Sequence, residues 1–96
     1  GKLESFPVIK PQGKEYFEND YNVLEEVGKG RYGIVRKITE KSTGKILAAK
    51  FIRTIKAKDR QQVLDEIKVM NLLKHPKLLQ LIGAFESSKE MIMITE

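Results

Sequence analysis

The chain has 96 residues, 41% of them hydrophobic, a net charge of +5 and no cysteine. That leaves room for one small domain with a modest core, and it excludes disulfides and thiolate-held metal. No apolar run approaches the ~20 residues of a membrane span, and the densest basic group (Arg53, Lys56, Lys58, Arg60) lacks the interleaved aromatics of a nucleic-acid surface, so it reads as a solvated loop and helix start.

The opening Gly1-Lys2-Leu3-Glu4 is no signal peptide, and the chain is expected to be part of a longer protein. A small secreted domain would often need disulfide staples, so an intracellular setting is expected. Residues 1–20 carry Pro7, Pro11 and Gly13 among charges with little periodicity, which predicts a linker or extended arm. Phe6, Val8, Ile9 and Phe17 could dock on a neighbour, but the reading is a mobile tail.

From residue 21 the pattern changes. Residues 21–27 are strand-like, with Val23 and Val27 on one side. Residues 28–33 form a glycine-rich turn, and residues 34–39 are a β-branched strand. Ser42-Thr43-Gly44-Lys45 is a hairpin loop, and residues 46–52 make a third strand, apolar except for Lys50.

Residues 59–74 predict the one helix. Asp59 and Gln62 resemble a capping box. Val63, Ile67, Met70 and Lys74 recur at helical spacing, with Val69 and Leu73 widening the stripe. His75-Pro76 ends it, because a residue before proline is pushed out of the helical region. Strands over residues 78–85 and 91–95 follow, joined by a polar turn. The order βββαββ predicts an α+β fold, a five-stranded antiparallel sheet with one helix packed on it.

Gly28-Lys29-Gly30-Arg31-Tyr32-Gly33-Ile34-Val35 fits G-x-G-x-x-G-x-V. Glycines let backbone N–H groups approach phosphate oxygens closely. A dinucleotide site would open a helix at the last glycine, whereas a strand follows here. A Walker loop would end in Gly-Lys-Ser/Thr, and Gly33 is followed by Ile34-Val35. A flap over nucleotide phosphates and an ordinary glycine-bearing hairpin both remain open on this motif alone.

Lys50 in a buried strand would need a partner, since a lone buried ammonium costs several kcal/mol. Glu66 is flanked by Val63, Ile67, Met70 and Leu73 at helical spacings, which sets its carboxylate on or beside the apolar face. Two opposite charges on elements that pack together predict an ion pair. The alternatives are a Lys50 that snorkels to water and a Glu66 paired with Lys68 or Lys74. His75 is the only histidine, so no metal site is expected. Met70, Met91 and Met93 are read as core, where methionine fills irregular gaps.

Together the glycine loop, Ala48-Ala49-Lys50, the Asp65-Glu66-Ile67 helix, His75-Pro76 and the two last strands resemble the protein kinase family in order and spacing. The resemblance covers residues 21–96 and implies a kinase amino-terminal lobe. It implies that Lys50 holds ATP phosphates and pairs with Glu66, and that residues 28–36 (Gly28, Lys29, Gly30, Arg31, Tyr32, Gly33, Ile34, Val35, Arg36) cover the nucleotide. Tyr32, at the loop tip, would either shield the phosphates or be an exposed turn residue. Val35 and Ala48 would sandwich the adenine, and Met70 and Leu81 would join the hydrophobic column between lobes. Thr95 would be the gatekeeper and Glu96 the start of the hinge.

The stretches Ala48-Ala49-Lys50-Phe51, His75-Pro76-Lys77-Leu78-Leu79-Gln80-Leu81, Ala84-Phe85-Glu86 and Met91-Ile92-Met93-Ile94 resemble the myosin light chain kinase and titin/twitchin group. This implies a Ser/Thr kinase using ATP and Mg2+, or a pseudokinase scaffold of a giant muscle or cytoskeletal protein. Calmodulin and cytoskeletal or sarcomeric partners are implied, in the cytoplasm or at the sarcomere, with neither nucleic acid nor membrane. The chain contains no His-Arg-Asp, Asp-Phe-Gly or Ala-Pro-Glu. The catalytic base and the metal ligands are therefore expected in a second lobe, and phosphate transfer by these 96 residues alone is not.

Overall fold

Successive side chains of a strand point to opposite faces of its sheet, and here both faces are covered. The computed structural model describes residues 8–30, 33–73 and 79–96. Its elements are β1 (Gln12–Gly13), α1 (Lys14–Asp20), β2 (Tyr21–Lys29), β3 (Gly33–Glu40), β4 (Ile46–Arg53), α2 (Ala57–Leu72), β5 (Leu81–Glu86) and β6 (Glu90–Thr95). The strands form one sheet in the order β1-β5-β6-β4-β3-β2. All pairings are antiparallel except β1 with β5, where Gln12 lies beside Phe85 and Gly13 beside Glu86 in a parallel register.

The sheet is apolar on both faces. On β6, Ile92 and Ile94 pack with Phe17, Ile38, Leu47, Ala49 and Phe85. Met91 and Met93, one residue out of phase, pack with Ile52, Val63, Ile67, Leu81 and Ala84. On β5 the parity is broken by a register shift between Leu81 and Gly83, which lets Leu81 and Ala84 share a face. Four of these side chains (Ile38, Met91, Ile92, Ile94) are fully enclosed, each worth about 1.5–3 kcal/mol of transfer free energy. α2 covers the Met91/Met93 face through Val63 and Ile67. α1 covers the other through Phe17 alone among its residues.

Several sequence expectations need correction. Among the described residues the sheet has six strands, not five, and there are two helices, not one. Residues 12–20, read as an arm, are folded: β1 finishes the β5 edge, and Phe17 stacks with Tyr21 at 5.4 Å and meets Phe85 at 5.5 Å and Phe51 at 5.7 Å. A seven-residue helix has no stability of its own in water, so this aromatic contact explains its presence.

α2 begins at Ala57 rather than Asp59. Lys56 holds the extended cap backbone (φ −87°, ψ 145°) with no side-chain cap bond. Asp59 therefore lies within the first turn, where a carboxylate still complements the helix dipole. The apolar stripe is also narrower than expected, because Val69 and Leu73 are about half exposed. Val23 and Val27, read as lying on one side of β2, are both exposed. β2 is the outer strand and bulges twice against β3. His75-Pro76 and the Lys74 end of the stripe lie outside the described residues.

Candidate functional site

The turn between β2 and β3 is closed by Gly30 N–H donating to the Gly33 carbonyl at 2.8 Å, with Gly28 opposite Val35 and Lys29 opposite Ile34. The three glycines are not equivalent. A Cβ on Gly33 would stand 2.0 Å from the Phe51 carbonyl oxygen, while Gly28 and Gly30 have nothing nearer than 3.9 and 4.0 Å. Gly33 is thus required by the close approach of β3 to β4. At the other two a Cβ would meet only ordinary van der Waals contacts. Arg31 and Tyr32 lie outside the described residues.

Cross-strand register gathers the remaining residues. Val35 lies beside Lys50 and Lys50 beside Met93, so the three share the α2-side face. One step along the same face, Ala48 lies beside Thr95, and Leu81 lies beyond Thr95. From α2, Glu66 reaches back until its Oε2 is 3.8 Å from Lys50 Nζ. Both side chains keep roughly two fifths of their surface in water, 36% and 46%. A wet pair at this separation is worth at most about 1 kcal/mol, so its content is placement rather than stability. Lys50 is neither isolated nor snorkelling away, and Glu66 sits at the edge of the helix stripe.

Between the glycine turn, β4 and α2 lies a cleft of about 660 Å³, with Lys29, Gly30, Gly33, Ile34, Lys50 and Glu66 on its walls. Sequence reasoning missed four polar residues here. Asp59 and Gln62 line the cleft; they precede Glu66 by seven and four residues, the spacing of one helix edge. Arg53 and Glu90 also line it and face each other across β4 and β6. Only the first pair had a sequence signal; the second depends on strand register.

Glu90 also accepts a hydrogen bond from Lys14 Nζ at 2.5 Å. That bond, aided by the charges of Glu90 and Glu18, raises the Lys14 ammonium above its ordinary range despite opposing burial.

Two expected site residues make side-chain contacts outside the cleft. Arg36 Nε and Nη2 both donate to the Leu24 carbonyl, at 2.9 and 2.7 Å, stitching β3 to the bulged β2. The Glu96 carboxylate lies 3.7 Å from Lys45. Among the described residues no three His, Asp or Glu side chains gather to hold a metal, and no helix is long and apolar enough to cross a membrane.

The glycine turn, Lys50 and its partner Glu66 on α2 thus meet in one cleft. Residues 21–96 match the protein kinase domain model, and the chain belongs to that family. Within it, the chain is 43% identical over 76 residues (79% of this chain) to the smooth-muscle myosin light chain kinase of Gallus gallus. It is 50% identical over 81 residues (82% of this chain) to myosin light chain kinase family member 4 of Mus musculus. It spans 4% and 21% of those two proteins' lengths.

Among solved structures, the twitchin kinase region from C. elegans superposes with a TM-score of 0.84 at 39% identity, covering 92% of this chain and 15% of that one. Titin kinase with its flanking domains gives 0.89 at 32% identity, covering 99% and 17%. The α+β fold is that of a kinase amino-terminal lobe, related to the myosin light chain, titin and twitchin kinases.

Proposed function

We propose that this chain is the nucleotide-holding lobe of a Ser/Thr protein kinase that moves the γ-phosphate of ATP to protein hydroxyls. The observation that carries the reading is the Lys50–Glu66 approach at 3.8 Å beside the glycine turn. Glu66 keeps the Lys50 ammonium aimed into the cleft, where it would neutralise α- and β-phosphate oxygens. N–H groups of residues 28–36 would cover the phosphates. Val35, Ala48 and Thr95, on the same face, would pack against the base, and the Glu96 backbone would face its amino edge.

The donor set suits ATP phosphates, and with no Asp-Phe-Gly in the sequence Mg2+ would be held by a second lobe. The same lobe would supply the base and bind the protein substrate. The myosin light chain kinase likeness supports calmodulin or sarcomeric partners and a cytoplasmic or sarcomeric location.

The test uses a polypeptide carrying these residues and a second kinase lobe. Lys50→Met should lower phosphate transfer by about 10²–10³, the scale of a lost transition-state cation, with unfolding unchanged. Undiminished transfer would overturn the assignment. A folded domain with neither transfer nor Mg-ATP binding would favour the scaffold alternative. The 96 residues alone should transfer no phosphate.

A further inference from the structure

We propose that Asn71 is a positioning residue: it clamps the extended backbone at Ile9 and so straps α2 at the distance that lets Glu66 meet Lys50. The Asn71 carboxamide accepts from Ile9 N–H at 3.0 Å and donates to the Ile9 carbonyl at 2.9 Å, across 62 positions of sequence. Both backbone groups of one residue are satisfied by one side chain, the pattern of a strand neighbour supplied by a helix. The Ile9 side chain packs on the group that contains Val63 and Ile67. Pro11 and Leu64 help to close the groove between arm and helix.

α2 needs this strap. It buries only two side chains, Val63 and Ile67; an ion pair of Arg60 with Glu86 ties its amino-terminal end to β5, but near Glu66 its ion pair to the sheet is long and wet. The strap is anchored beyond Ile9 as well, because Gln12 and Gly13 are laddered to β5 and Lys14 is bonded to Glu90. A segment anchored on the sheet at residues 12–14 and on the helix at Asn71 fixes one relative to the other. Glu66 lies five residues before Asn71, little more than one turn away.

What Glu66 is for rests on the nucleotide reading, but its placement by Asn71 does not, and the experiment uses no nucleotide. In the 96-residue chain, amide exchange is followed by mass spectrometry, and acylation of the Lys50 amine is measured in parallel. Asn71→Leu should speed exchange of α2 amides by about tenfold, the scale of two modest hydrogen bonds. The amides of β3, β4 and β6 should keep their rates. Lys50 should acylate up to about fivefold faster, as it would in Glu66→Gln, and the double variant should add nothing. Ile9→Pro, which deletes the N–H donor from the opposite partner, should move the same α2 amides. Unchanged α2 exchange in both variants overturns the proposal. So does loss of protection everywhere at once, or Lys50 acylation that ignores Asn71. A failure of ATP binding would leave this result standing.

Discussion

Gly33 shows how a single hydrogen atom can be a structural requirement. Its missing Cβ would fall 2.0 Å from backbone, which cannot swing aside as a side chain would. Gly33→Ala should therefore destabilise the fold by about 1–3 kcal/mol, the usual cost of overpacking. Gly28→Ala and Gly30→Ala, with nothing within 3.4 Å, should cost well under that in urea denaturation. Equal losses at all three positions would contradict this ordering. The sequence displayed the three glycines alike, because the clash comes from β4 lying alongside β3. Lys50 and Glu66 were legible because a charge among apolar neighbours stands out in the text. Arg53 and Glu90 were not, because a cross-strand pair exists only once the register is known.

At the scale of elements, helix α1 rests on one aromatic side chain. Phe17 is 2% exposed and touches three other rings. Phe17→Ala should cost about 3–5 kcal/mol by chemical denaturation, a large part of what a domain this small has. A loss below about 1 kcal/mol would mean that α1 is dispensable. Strands β2 to β6 were readable from their apolar, β-branched runs and the turn residues between them. α1 was not, since one phenylalanine in a charged run has no period to detect. α2 was readable as a helix but not at its start. An aspartate three residues before a glutamine imitates a cap, whereas the extended backbone that begins the helix belongs to Lys56.

For the molecule as a whole, the sheet is sandwiched unevenly, with α2 and its strap on one face and α1 on the other. Two groups in the amino-terminal layer make this arrangement sensitive to alkali. Burial, with the nearby Glu40 and Asp20 charges, raises the Tyr21 phenol above its ordinary 10.0. The Glu90 bond raises Lys14 above 10.5. Because both hold their protons longer when folded, the unfolded chain releases them first. Their stabilisation is complete below pH 10 and is lost as pH climbs through the folded values. Urea midpoints of Tyr21→Phe should therefore fall less steeply than those of the parent chain between pH 10 and 11, and Lys14→Gln should act in the same direction. A steeper decline in either variant would contradict the assigned shifts.

The parallel ladder of residues 12–13 against residues 85–86 bears on the order of assembly. A ribosome releases the amino-terminal segment first, yet that segment has no strand to join until β5 has emerged. Closure of so long a loop is entropically late. The earliest-made part of this lobe is thus among the last to settle, and until it does, the outer edge of β5 stands open to any other extended peptide nearby.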